Sequence, residues 1–354
     1  MATTTNRLGV DIGGTFTDVV LETDRGQFST KVLTTYAAPE EAIIDGMGQV
    51  CAKAGIAASQ IGQIIHGTTL ATNALIERRG AKTALITTQG FRDTIEMRTE
   101  SRFEQYDLNL ELPEPLLPRQ RRYTVAERVD ASGNILIPLD LAEVERLVDR
   151  LAEAGYDSIA VGLLHSYAND VHERMIRDVL RDRMQDAMVS ISSEVSPQMR
   201  EYERFNTVVA NAYIKPLMKS YLSRLEGRLR GEGVTCKIFL MHSGGGIISL
   251  ENAADFPVRL VESGPAGGAV FAAHIAAPDQ APDAQDLARI RGRAQLSVQE
   301  RLRHADFHSR HRHGRDRRGR RQPGPCRCDA PDPGWPGKRR LGTRSGLLWA
   351  RRGQ

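Results

Sequence analysis

The stretch Gly9-Val-Asp-Ile-Gly-Gly-Thr-Phe-Thr-Asp18 packs a carboxylate, two adjacent glycines and two hydroxyls into a single turn of chain. A β-branched run delivers Asp11, the pair Gly13-Gly14 follows, and the chain resumes as a strand to about Glu22. Such a turn suits the phosphates of a nucleotide. Glycines without a Cβ let backbone N–H groups approach an anionic oxygen closely. The hydroxyls of Thr15 and Thr17 can donate to the same oxygens, and Asp11 can hold Mg²⁺, commonly through water. The same residues also suit a plain hairpin with a Gly-Gly turn, and the spacing alone leaves both readings open.

Three further segments join a strand to a glycine-rich or hydroxyl-rich turn. Ile64 to Ile76 reads as a strand, a Gly-Thr-Thr turn and a helix, with His66, Thr68, Thr69 and Asn73 gathered where the helix begins. Free N–H groups and the helix dipole attract anions there, although plain N-capping by threonine explains the same residues. The strand Lys237–Met241 runs into His242-Ser-Gly-Gly-Gly246. After another helix, Ser263 and Gly264 are expected to end a strand over 258–264, and Gly267 and Gly268 to open a helix reaching Ala277. Each glycine cluster alone can be a tight turn or a close packing contact. Three such junctions in one chain point to nucleotide or anion binding.

The elements that would position these residues alternate as in an open α/β sheet. Helical spacing runs from Pro39 to about Ala54, and Ala81 to Thr88 is a strand ending in Gln-Gly-Phe-Arg-Asp93. Glu96 to Pro118 is polar and proline-bearing, a long loop or inserted excursion. A hairpin over 128–137 turns at Ser132-Gly133. It is followed by an amphipathic helix from Leu141 to Ala154, a buried strand from Ser158 to Leu164 and a helix from His172 to Met184. Met188 to Ile191 is a short strand, and a long helical region then runs to about Leu229.

With 354 residues the chain has room for two domains. The net charge of +4 hides a division: residues 291–354 hold 17 Arg and one Lys against five acidic residues, a net +13, which leaves −9 for the remainder. This tail has almost no apolar periodicity and cannot bury a core. Cys326 and Cys328 form a Cys-x-Cys near His304, His308, His311 and His313, which raises a zinc site among the readings; a nucleic-acid-binding arm and a disordered tail are others. A reading-frame error is the reading that the genetic code supports. Read from the second base of each codon, Gly314 to Gln322 can encode VEIGAGGGS, and Trp335 to Arg352 can encode GPESAGSEPGPACYGRGG. A frameshift between about Ala277 and Arg310 is therefore expected. No apolar run is long enough to span a bilayer and no signal peptide is evident, so a cytoplasmic protein without a membrane partner is expected. The tail has little aromatic interleaving, and nucleic acid is not an expected partner.

From about Arg7 to Ala277 the sequence resembles the A subunit of the hydantoinase/oxoprolinase family. These are ATP-dependent hydantoin amidohydrolases and 5-oxoprolinases, with related acetone and acetophenone carboxylase subunits. The resemblance rests on Gly9–Asp18, His66-Gly-Thr-Thr-Leu-Ala-Thr-Asn-Ala-Leu75, Leu164-His-Ser-Tyr167, Glu194-Val-Ser-Pro197 with Arg200-Glu-Tyr-Glu-Arg204, and Ser263-Gly-Pro-Ala-Gly-Gly268. It implies a duplicated α/β ATPase fold of the actin, sugar-kinase and Hsp70 type, here incomplete at its C-terminus, because the family's second Asp-x-Gly-Gly-Thr motif is missing. The expected division is an N-terminal domain over 5–185, the start of a second over 190–277, and the basic tail over 278–354.

The resemblance further implies ATP and Mg²⁺ as cofactors and a small cyclic amide as substrate. It implies a hydantoinase B-type subunit as partner in a hetero-oligomer. Asp11, Gly13, Gly14, Thr15 and Thr17 would bind phosphate and metal. Gly244, Gly245, Gly246, Gly264, Gly267 and Gly268 would border the cleft, and His66 would contact substrate or phosphate or else be structural. A carboxylase or kinase-like relative using the same fold is the alternative function.

Overall fold

The computed structural model describes residues 6–35, 37–99, 106, 109 and 112–276. The basic tail, with its cysteines, histidines and reading-frame strings, lies outside the described residues, as does part of the expected excursion over 96–118. In chain order the strands are β1 (Arg7–Ile12), β2 (Phe16–Thr23), β3 (Gly26–Leu33), β4 (Gln63–Thr68), β5 (Thr83–Thr88), β6 (Arg122–Val125), β7 (Arg128–Val129), β8 (Ile135–Ile137), β9 (Ser158–Gly162), β10 (Met188–Ile191), β11 (Lys237–Met241) and β12 (Ile247–Ser249). The helices are α1 (Pro39–Ala54), α2 (Leu70–Ile76), α3 (Thr94–Met97), α4 (Leu141–Glu153), α5 (Val171–Arg183), α6 (Ser192–Val195), α7 (Glu201–Gly231), α8 (Leu250–Asp255) and α9 (Ser263–Ala276). Among the described residues, no helix is long and apolar enough to cross a membrane.

Local chemistry sets the element boundaries. Helix α1 opens on Pro39, whose missing N–H costs nothing in a first turn, and places Glu40 and Glu41 at the positive end of the helix dipole. It stops at Gly55, which takes the left-handed conformation (φ 65°) and returns its N–H to Ala52. Helix α4 is capped by the Asp140 carboxylate, which accepts the Ala142 N–H at 2.9 Å.

The strands build two principal sheets. The first is mixed, in the order β12-β11-β4-β1-β2-β3, and the second, β10-β9-β5-β6, is parallel throughout. In the first sheet β1, β4 and β11 run parallel to one another, so their carboxyl ends share one edge. Alternation along β1 sends Leu8, Val10 and Ile12 into the core and leaves Gly9 and Asp11 on the opposite face. In the second sheet every residue of β5 and β9 is buried, as expected of a parallel sheet covered on both faces.

One apolar core packs α4 and α5 against one face of the second sheet, through Val144, Leu147, Leu151, Ile176 and Leu180 on Ala84, Ile86, Ile159 and Val161. The other core lies beneath the first sheet and includes α1, α2 and most of the inward residues of α7. Leu85 and Ala160 of the second sheet belong to this core as well, so α7 is shared between the sheets. At 1.5 Å per residue its 31 residues extend about 46 Å.

The expected α/β alternation is present, with differences at several elements. The polar edge strand β3 and the short strand β6 were not anticipated, because β3 alternates weakly and β6 begins with a buried arginine. The Arg122 side chain is fully buried, donating to the Leu117 carbonyl and pairing with Glu96. The expected strand over 258–264 is instead a 3₁₀ turn, Pro257–Leu260, and Ser263 already begins α9. A reversal at Glu262 (φ 64°) separates the two, so Ser263 and Gly264 open a helix rather than end a strand.

Candidate functional site

Three loops leave the shared carboxyl edge of the first sheet: Gly13–Thr15 after β1, Thr69 after β4 and His242–Gly246 after β11. Ligands in α/β sheets gather beyond such an edge. The loops are tied together. The amide and hydroxyl of Thr69 both donate to the Ile12 carbonyl, at 3.3 and 3.2 Å, locking the β4 exit against the β1 exit. The Ser263 hydroxyl donates to the Thr68 carbonyl at 3.2 Å, and the Glu262 amide donates to the Thr72 hydroxyl at 3.2 Å. The amino end of α9 therefore stands at the same edge as Asp11. Pro265 sits in its first turn, and the early N–H groups of that turn have no partner within the helix.

Asp11, the penultimate residue of β1, is exposed on the outward face of the sheet. Its cross-strand partner on β2 is Asp18, which Lys31 holds at 2.9 Å. Partial burial, and then the Asp18 charge, raise the Asp11 carboxyl above the usual range. Its neighbour on β4 is Gly67, where a Cβ would lie 2.9 Å from Asp11 Oδ1. Around Gly14 a Cβ would meet nothing within 4 Å, and Thr15 is exposed. The amides of Gly14 and Thr15 donate to no group among the described residues.

Several expected site residues serve the scaffold. The Gly13 amide donates to the Phe16 carbonyl at 3.0 Å, so it closes the β1–β2 turn and is not free for an anion. Thr17 lies on the inward face, fully buried, with its hydroxyl 2.9 Å from that of Thr34; strand alternation puts it on the side of the sheet away from Asp11. His66 is also inward, 1% exposed, with Nε2 2.7 Å from the Tyr221 hydroxyl of α7. Burial pushes its pKa down to about 4, so it is a neutral core histidine on the face of the sheet away from Asp11.

The Gly244–Gly246 loop closes on its own histidine. Gly244 donates to His242 Nδ1 at 2.9 Å, Gly245 (φ 77°) donates to the His242 carbonyl at 2.9 Å, and Gly246 accepts from the His242 amide at 3.0 Å. The amides of Gly244 and Gly245 are thus held within a tight turn. Gly264 lies exposed in the first turn of α9, while Gly267 faces Met241 of β11 and Gly268 stands clear of other groups. The structure thus places Asp11, Gly14, Thr15 and Gly264 at one edge of the first sheet. It adds Gly67, which sequence reasoning passed over between two residues it had singled out. The signal was the parallel pairing of β1 with β4, which spacing along the chain does not carry.

Among the described residues, no group of three His, Cys, Asp or Glu side chains is placed to hold a metal ion. Magnesium does not require one: it keeps several waters and binds through one or two carboxylates plus substrate phosphates. A single exposed carboxylate beside open backbone amides fits that mode.

The family model for the hydantoinase/oxoprolinase N-terminal region matches residues 7–184, and that for hydantoinase/oxoprolinase matches residues 204–284. The chain is 31% identical to the caprolactamase subunit alpha of Pseudomonas jessenii over 281 residues, which cover 77% of this chain and 40% of that one. It is 30% identical to the acetophenone carboxylase gamma subunit of Aromatoleum aromaticum over 291 residues, covering 77% and 39%. Among solved structures it resembles the ATP-dependent caprolactamase of Pseudomonas jessenii, with a TM-score of 0.71, 31% identity and coverage of 78% of this chain and 41% of that one. It also resembles a nucleotide-free acetone carboxylase, with a TM-score of 0.68, 27% identity and coverage of 77% and 40%. The chain spans about two fifths of the length of these relatives.

Proposed function

The chain belongs to the hydantoinase/oxoprolinase family, and on that premise we propose that it supplies one side of the ATP site of a cyclic-amide hydrolase that acts with a B-type subunit in the cytoplasm. The observation that carries this reading is the meeting of Asp11, the open Gly14–Thr15 amides and the amino end of α9 at one sheet edge. Backbone amides and a helix amino end suit the phosphates of ATP, and Asp11 would hold Mg²⁺, which neutralises phosphate charge when bound.

ATP has a chemical purpose in this reading. An amide carbonyl is stabilised by resonance and resists water. Phosphoryl transfer to its oxygen turns that oxygen into a leaving group and opens the carbon to attack. Such transfer depends mainly on positioning and charge neutralisation, which this edge is built to give. The basic tail belongs to the same reading as a product of a shifted frame, not as a functional arm.

A coupled assay tests the proposal. Purified chain, its B-type partner and Mg-ATP are combined with hydantoin, 5-oxoproline or caprolactam, and ADP release is followed. Little or no turnover is expected from the chain as it stands and substrate-dependent ADP release once its reading frame is repaired; Asp11→Asn in the repaired chain is expected to lower that release by about 100-fold or more through lost charge stabilisation. Equal release by the repaired chain and its variant would refute the role of Asp11. The acetophenone carboxylase relative supports the alternative on the same fold. ADP release that requires a ketone and bicarbonate instead of a cyclic amide would favour it.

A further inference from the structure

We propose that Gly67 is a positioning residue for the Asp11 carboxylate, an inference that rests on the reading of Asp11 as the metal-binding group. Gly67 is an ordinary strand residue of β4, without the positive φ that demands glycine, so its lack of a side chain answers to space and not to backbone conformation. It pairs with Asp11 across the parallel β1–β4 ladder, on the same outward face. A Cβ there would stand 2.9 Å from Asp11 Oδ1 and 3.7 Å from Asp11 Cγ.

Neither strand can yield easily. The residue before it on β4, His66, is pinned in the core by its 2.7 Å contact with Tyr221, and beyond Gly67 the chain is pinned by Thr69 on the Ile12 carbonyl. On the other side Asp11 faces Asp18, so a carboxylate pushed away from β4 approaches a like charge. Any side chain at position 67 therefore turns the Asp11 carboxylate out of its seat. Gly9, the preceding outward residue of β1, has no such constraint: its nearest neighbour for a Cβ is the Val20 carbonyl at 3.8 Å.

Two measurements on the full chain test this. The first is thermal unfolding in a double-mutant cycle, which needs no ligand. Gly67→Ala is expected to lower Tm by more in the wild-type background than in the Asp11→Ala background, where the clashing carboxylate is gone; the difference is small, since an exposed carboxylate turns aside at little cost. Equal losses in both backgrounds would overturn the proposal. The second is Mg²⁺-dependent binding of ATP beside ATP binding in EDTA. Gly67→Ala is expected to weaken the Mg²⁺-dependent part by roughly 10–100-fold, the scale of lost ligand orientation, and to leave the metal-free part unchanged, while Gly9→Ala keeps wild-type Mg²⁺ affinity. Should Gly67→Ala bind Mg²⁺-ATP as the wild type does while Asp11→Asn does not, Gly67 has no positioning role and the proposed ATP site stands. Should Asp11→Asn bind it normally, the proposed site itself fails, and the Tm cycle still decides whether positions 11 and 67 are coupled.

Discussion

His66 shows how burial decides a residue's work. It carries the residue type of a catalytic base and sits beside a threonine-rich turn, yet strand alternation turns it inward, onto Tyr221. With its pKa pushed down to about 4, the folded protein refuses a proton that the unfolded chain accepts near pH 6.5. Stability from this residue is therefore fully present above pH 6.5 and is lost progressively as pH falls toward 4. Between pH 7 and pH 5 the loss amounts to about 2 kcal/mol, measurable by urea denaturation at the two values. In His66→Gln, whose side chain does not titrate, that part of the pH dependence should vanish. An unchanged pH dependence would show that His66 is not the buried neutral group. The same alternation turns Thr17 inward, while Asp11, at the end of an outward row, faces the opposite side. Residue types were legible in the sequence; which face each occupied depended on where β1 pairs with β2 and β4.

At the scale of elements, α7 holds the two sheets on one core, and its fit onto β9 is close. Gly162 ends β9 beneath Phe205, and a Cβ there would lie 2.7 Å from the ring. Gly162→Ala should cost roughly 1–3 kcal/mol, the usual penalty of overpacking. Adding Phe205→Leu should recover part of that loss in denaturant unfolding. Strictly additive losses would mean that the ring is not what limits the space. The sequence announced α7 and β9 through their apolar periodicity, and it announced the β7–β8 turn through Gly133, which takes φ 86°. It concealed β6, whose first side chain is an arginine buried against Leu117 and Glu96, because burial of that charge depends on partners 5 and 26 residues away. It also misread 258–264, where apolar Val258, Leu260 and Val261 resemble a strand but pack as a 3₁₀ turn ahead of α9.

For the whole molecule, charge and family coverage change near the same place. Residues 1–290 carry a net −9 and contain both family matches, the second of which ends at residue 284; residues 291–354 carry +13. Among the described residues, the members of both apolar cores lie within residues 8–261. Selection on a folded enzyme has no reason to place 17 arginines in 64 residues, whereas GC-rich codons for glycine and alanine read one base out of register yield arginine readily. A single-base insertion or deletion between Ala277 and Arg310 is the expected result of resequencing the coding DNA, and restoring it should return the glycine-rich strings VEIGAGGGS and GPESAGSEPGPACYGRGG to the reading frame. The repaired chain should then bind Mg²⁺-ATP more tightly than the present one, since it regains two glycine-rich segments that the resemblance places in the second half of the fold. An unambiguous, intact frame across 277–310 would overturn this account and leave the arginines as a native feature, to be tested by salt-dependent binding to DNA.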